Sequence, residues 1–194
     1  MASIDTMPRD DSIAPTLLLA MPQLRDPHFE RSVVLLCEHN DTGAMGFVVN
    51  RPTEMRAADA VQLDPPLLTD SGLRLWTGGP VETHRGFLLL GHAPDIDESE
   101  SISDGFHLTA SLGVLRTLLE TTPDPNAPPR CRLLLGYAGW GPGQLDAELT
   151  ASSWLTAPAD PDLVFGVEPE VMWEMAIRGL GVDPMALSPA PGLQ

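Results

Sequence analysis

The chain contains no lysine: all 11 of its basic residues are arginine, set against 27 acids for a formal charge of −16 over 194 residues. Residues 133–177 hold seven acids and no base, whereas seven of the eleven arginines precede Gly86. Such a field repels a phosphate backbone, whose binding rests on several Lys/Arg contacts that release counterions. It therefore disfavours direct nucleic-acid binding, and adsorption to anionic lipid for the same reason. Long apolar runs are missing too, so the sequence offers no segment that spans a bilayer as a helix. The start of the chain carries acids where a secretory peptide carries bases, and its apolar run at 17–21 is too short for an export signal, so the expected location is the cytoplasm.

Metal and nucleophile signatures are also lacking. The five histidines never fall at i, i+4, and no C-x-x-C exists. The acids Asp95, Asp97, Glu98 and Glu100 fail the EF-hand pattern for want of its glycine. Neither G-x-S-x-G nor a Cys–His signature is present. No cofactor, metal or catalytic residue can be assigned from these patterns. Cys37 and Cys131 lie in strand-like runs (VVLLCEH, CRLLLGY), where buried reduced thiols are the ordinary reading and a thiol nucleophile the alternative.

What is present is globular: 43% apolar and 20% charged residues in a length suited to one domain. Strands are expected at 16–20, 32–39, 44–49, 73–76, 86–91, 106–108, 131–135, 152–156 and 163–167. Residues 32–39 and 44–49 form a hairpin through Asn40-Asp41-Thr42-Gly43, and Pro52, which lacks an N–H, stops its ladder. Helices are expected at 57–63, at 110–121 with Leu112, Leu115 and Leu119 on one face, and at 168–178, where Pro169 suits the first turn. Strands and helices interleaved, with a hairpin in the sheet, give an α/β or α+β fold with a mixed sheet. The domain runs over 16–187, between a loose arm at 1–15 and a short tail at 188–194.

The densest local signal is residues 136–154 (GYAGWGPGQLDAELTASSW), with four glycines in its first eight positions. It reads as strand, tight loop, helix. Glycine there serves either a turn or an anion cradle at a helix N-terminus, but Pro142 removes one donor and Asp146 opposes an anion. Asn50-Arg51 ends a buried strand, where an arginine can hold a carboxylate or phosphate, or simply pair with a local acid. Gly78-Gly79 makes a second glycine turn, and Gln144 shares a helix face with Glu148. The candidate ligand-binding residues are accordingly Asn50, Arg51, Gly78, Gly79, Gly139, Trp140 and Gln144, expected to border one pocket.

The sequence resembles the YqgE/AlgH family of small bacterial proteins from about Pro15 to Leu187. The marks are Met21-Pro22 with Asp26-Pro27-His28-Phe29; His39-Asn40 through Gly43-Ala44-Met45-Gly46 to Asn50-Arg51-Pro52; Gly78-Gly79-Pro80-Val81; and Gly136-Tyr137-Ala138-Gly139-Trp140 with Gly143-Gln144-Leu145 and Trp154. The resemblance implies an α/β fold whose bifurcated sheet closes into a pseudo-barrel, with no established reaction or cofactor. It also brings a transcriptional-regulator label, which the charge turns towards indirect regulation through a small anionic ligand or a protein partner. Three readings stand at this point. The first is a non-catalytic ligand-binding or regulatory protein; the second is a hydrolase or thiol enzyme using Cys37 or Cys131; the third is an interaction module docking through the acidic residues from Asp146 to Glu174.

Overall fold

The computed structural model describes residues 12–24, 26–94, 99–122, 124, 126 and 129–187. Most of the expected arm, the tail at 188–194, the acids at 95–98 and Pro123, Pro125 and Pro128 lie outside the described residues.

Among the described residues, ten strands and six helices follow in chain order: β1 (Thr16–Ala20), β2 (Val33–Asn40), β3 (Gly43–Val48), β4 (Pro52–Arg56), α1 (Ala57–Ala60), β5 (Arg74–Thr77), β6 (Val81–Leu90), β7 (Glu100–Ser103), β8 (Phe106–Thr109), α2 (Leu112–Glu120), β9 (Cys131–Trp140), α3 (Gln144–Thr150), β10 (Trp154–Ala157), α4 (Pro161–Gly166), α5 (Pro169–Gly179) and α6 (Pro184–Leu187). The fold is α+β. Its curled sheet runs β10-β1-β2-β3-β9-β6-β8-β7, with β4 and β5 on a branch.

The branch point is β9. Along one side it pairs antiparallel with β6. Along the other its first half pairs parallel with β5, at Leu133, Leu134 and Leu135, and its second half pairs antiparallel with β3, at Ala138, Gly139 and Trp140. The sheet is thus mixed and bifurcated, as the resemblance implies. Glycine makes the fork sterically possible. Gly136, at φ +69, sits between the two halves, and a Cβ there would lie 2.5 Å from the Gly79 carbonyl oxygen. Gly78 threads the gap, donating its N–H to Leu135 O and accepting from Val48 N, both at 2.7 Å. A Cβ on Gly79 would lie 2.1 Å from the Tyr137 carbonyl carbon. Backbone meets backbone here, so no larger residue fits without moving a strand.

Three apolar clusters follow from the alternation of side chains across the curled sheet. Leu17, Leu35, Phe47 and Leu134 point to the side covered by α4 and α5, where Met172, Trp173, Ala176 and Ile177 complete the core. Trp173 Nε1 donates to Ala20 O at 2.9 Å, satisfying the one polar atom of its ring. Leu18, Val34, Val48 and Ala138 point the other way, under Leu145 of α3. Leu75, Leu88 and Leu133 pack under Val114, Leu115 and Leu119 of α2.

Several elements differ from the sequence expectation. Residues 136–140 are strand rather than loop, because β3 supplies a ladder to their backbone; the turn is confined to Gly141-Pro142-Gly143. Residues 163–167 are largely helix: Pro161 opens α4, and the Asp160 carboxylate accepts from Asp162 N and Leu163 N. Pro52 starts β4 instead of closing a ladder, since β4 is an edge strand that leaves the missing N–H uncontested. A strand the sequence reading does not include, β7, pairs outside β8. Helix α2 begins two residues later than Ala110 and is capped by Ser111, leaving Leu112 exposed. Residues 184–187, at the end of the expected domain, form a helix that the sequence reading does not include, α6. Among the described residues no helix is long and apolar enough to cross a membrane.

Candidate functional site

The sequence-selected residues fall into two groups. Asn50, Arg51, Gly78 and Gly79 meet at the fork: Thr77 N donates to Arg51 O at 2.9 Å. The Asn50 side chain is committed to structure, its Oδ1 accepting from Val33 N at 2.9 Å and its Nδ2 donating to Arg31 O at 3.0 Å. Arg51 donates through Nη2 to the Glu30 carbonyl.

Gly139, Trp140 and Gln144 meet at the other end of β9, around the carboxylate of Glu148. Glu148 Oε2 accepts from Trp140 Nε1 at 2.9 Å and from Trp154 Nε1 at 2.7 Å, and Oε1 accepts from Gln144 Nε2 at 2.9 Å. Gln144 Oε1 in turn accepts from Gly141 N at 3.0 Å. Phe29 closes the cluster against both indoles, with ring centroids 6.4 Å from Trp140 and 5.5 Å from Trp154. Two buried indole N–H groups and one charged acceptor satisfy each other, so the pairing of Gln144 with Glu148 locks α3 onto the sheet. Beside this cluster His39 is buried, its Nε2 lying 3.2 Å from Asp146 Oδ1 and its Nδ1 3.5 Å from Ile13 N. Gly139 and Trp140 also border a shallow cleft of about 350 Å³ with Glu38, Asn40, Thr42 and Tyr137. Neither Asn50-Arg51 nor Gly78-Gly79 lines that cleft.

A different place combines a cavity with an unsatisfied charge. Arg132, second residue of β9, is 4% exposed. Its Nη2 donates to the Val164 carbonyl of α4, while Nε and Nη1 have no hydrogen-bond partner among the described residues. The guanidinium carbon lies 3.7 Å from the centroid of the Trp76 ring, on β5. Burial pulls the Arg132 pKa down to about 10, which still leaves it cationic at neutral pH. A buried cation held by one carbonyl and one aromatic face is an expensive arrangement unless something else compensates it.

Arg132 and Trp76 line a cavity of about 480 Å³ between the start of β9, α2 and the α4–α5 corner. Its apolar wall includes Leu73, Leu118, Phe165 and Val167, and the exposed Arg74 and Glu168 are also among the lining residues. That volume lies within the range of small-molecule sites, and the make-up is typical of them: an apolar lining with few polar anchors. Arg132 and Trp76 are not among the residues the sequence singles out. A signal for Arg132 exists, as the one charge inside the apolar run 131–135, where a base in a buried strand needs a partner. Trp76 has no such signal, because only the parallel pairing of β5 with β9 brings it beneath the guanidinium.

The two thiols are in apolar surroundings. Burial pushes Cys37 up to about 12, with Glu100 and Glu38 adding to the effect, and pushes Cys131 up to about 11. Both are protonated at neutral pH, the form that is not nucleophilic. No group of three or more His, Cys, Asp or Glu among the described residues is arranged to hold a metal ion.

A forked α+β sheet, with glycines at the fork and a cavity at the start of the forking strand, defines the class of protein. The chain belongs to the AlgH-like family, whose sequence pattern matches residues 17–185. A UPF0301 protein of Ruegeria pomeroyi is 46% identical over 182 residues, covering 91% of this chain and 96% of its own. One from Myxococcus xanthus is 43% identical over 185 residues, covering 94% and 98%. Among solved structures, the AlgH protein from Pseudomonas aeruginosa superposes with a TM-score of 0.73 at 34% identity, over 97% of this chain and 100% of that one. A Corynebacterium diphtheriae protein superposes at 0.66 and 22% identity, over 93% and 92%, a likeness of fold alone.

Proposed function

We propose that this chain is a non-catalytic, cytoplasmic binding protein for a small anionic ligand, seated at Arg132, through which it acts indirectly in regulation. The observation that carries the reading is the buried Arg132 guanidinium, two of whose nitrogens lack an acceptor, in a residue that lines a cavity of ligand size. A bound anion supplies the missing acceptor and the missing charge together. The protonated thiols weigh against a cysteine nucleophile. The formal charge of −16 weighs against contact with DNA.

The test is a thermal-shift screen of the purified full chain against carboxylates, phosphates, nucleotides and divalent metals. An anion at about 100 times its Kd stabilises the fold by roughly 2.7 kcal/mol, a shift of several degrees. The reading requires such a shift from at least one anion class and from wild type only, not from Arg132→Met. Silence across all anions, or a shift of duplex DNA by the pure protein at physiological salt, contradicts it.

A further inference from the structure

We infer that the Arg132 cavity takes an amphipathic monocarboxylate: a single carboxylate set against the guanidinium, with an apolar body lying along Leu118, Phe165 and Val167. The inference rests on the ligand-binding reading above and narrows it from anions in general to one class.

Charge counting selects the monoanion. Arg132 is the one buried cation among the residues that line the cavity, and its unpartnered donors are Nε and Nη1. One carboxylate neutralises one guanidinium and accepts from it in the plane that arginine presents. A phosphate monoester brings close to two negative charges at neutral pH, so the second would enter a low-dielectric pocket unpaired. The lining offers no buried second cation: Arg74 is exposed, and Glu168, also exposed, carries the opposite sign. Elsewhere around the cavity, Arg130 is already paired with Asp162 at 2.7 Å and stacked over Phe165.

The wall selects the apolar body. Leu73, Leu118, Phe165 and Val167 offer carbon surface, and Ser71 and Thr121, on the loop before β5 and just past the end of α2, also line the cavity. Trp76 is occupied by the guanidinium on one face and therefore fixes the cation in place. A headgroup without a tail would fill only the corner at Arg132 and leave most of the 480 Å³ to water. The hydrogen bond from Arg132 to Val164 O ties the same guanidinium to α4. Seating a carboxylate there thus braces the α4–α5 corner, giving the site a route to the surface of the molecule.

The experiment is isothermal titration of the full chain with hexanoate, its uncharged counterpart hexanamide, hexyl phosphate and acetate. It is run on wild type, on Arg132→Met, and on Leu118→Trp, which fills the cavity while leaving Arg132 in place. Hexanoate is expected to bind wild type at least tenfold more tightly than hexanamide, hexyl phosphate or acetate, and to lose at least tenfold in each variant. Tighter binding of hexyl phosphate would overturn the monocarboxylate class and leave the anion reading standing. Equal binding of hexanamide, undiminished binding to Arg132→Met, or no binding by any of the four would overturn both. Should Arg132→Met fail to fold, Leu118→Trp alone decides the location: undiminished hexanoate binding there places the ligand elsewhere and overturns the inference.

Discussion

The guanidinium of Arg132 lies over the indole of Trp76 at 3.7 Å, and the two residues sit on neighbouring parallel strands, β9 and β5. That stacking holds a buried positive charge in place without neutralising it. Energetically it is a weak compensation, about 2 kcal/mol or somewhat more when desolvated, against a larger cost of removing the ion from water. The charge is therefore predicted to be a net burden on the unliganded fold.

Arg132→Met keeps the length and the apolar contact with Trp76 and removes the charge. It is expected to leave the unliganded protein at least as stable as wild type, and up to about 2 kcal/mol more stable. Urea denaturation in ligand-free buffer checks this. A loss above about 2 kcal/mol would show that Arg132 is a structural ion satisfied in the free protein.

The Glu148 carboxylate carries the opposite expectation. Glu148→Ala strands the indole N–H groups of Trp140 and Trp154 and frees Gln144, and is predicted to cost roughly 2–4 kcal/mol. Thermal denaturation together with tryptophan fluorescence reads both the stability and the loosened ring cluster. A change within about 0.5 kcal/mol would mean that α3 is held by its apolar face alone.

Glycines at the fork separate clash from backbone strain. Gly136→Ala meets both a φ of +69 and a carbonyl oxygen 2.5 Å from the new Cβ, and is expected to cost about 3 kcal/mol or more. Gly143→Ala has nearly the same φ, +71, with nothing within 4 Å, and is expected to cost only about 1–2 kcal/mol. Equal losses measured in urea would remove the close backbone approach as the reason for glycine at the fork.

Alkaline pH probes the two thiols, Cys131 buried and Cys37 half-buried. Their folded pKa values of about 12 and 11 stand above the ordinary 9.0, so the folded state holds these protons more tightly than the unfolded chain. The stability this contributes is complete below pH 9 and is lost as pH rises towards those values, at up to about 1.4 kcal/mol per pH unit for each thiol. Arg132, whose folded pKa of about 10 lies below 12.5, acts in the opposite sense, adding stability as pH rises from about 10. Between pH 9 and 10 the thiols act almost unopposed, so unfolding midpoints should fall there, and Cys37→Ala should flatten the slope. An unchanged slope would show that Cys37 reaches solvent as a thiolate.

Much of this is legible in the residues. The apolar runs of β1, β2, β3 and β9 announce buried strands, and Glu168-Pro169 announces α5. The fork is legible only as glycine density, because which backbones approach is decided by pairing between strands far apart in sequence. Strands β4 and β7 are polar edges whose exposed residues, such as Glu54 and Glu100, give no period-2 signal against a core. The apolar triplet Leu163-Val164-Phe165 suggests a strand, yet Asp160-Pro161 is a helix start that overrides it. The cavity is least legible, since its walls come from β5, β9, α2 and the α4–α5 corner, and only Arg132 marks it locally.

The most direct test of the binding site is the NMR signal of the Arg132 side-chain Nε–H and of the Trp76 indole N–H, followed as hexanoate is added to the full chain. A carboxylate accepting from Arg132 should move the Nε–H resonance downfield, slow its exchange with water and shift the Trp76 indole with the same saturation curve. Saturable binding that leaves both resonances unmoved would contradict a ligand at Arg132.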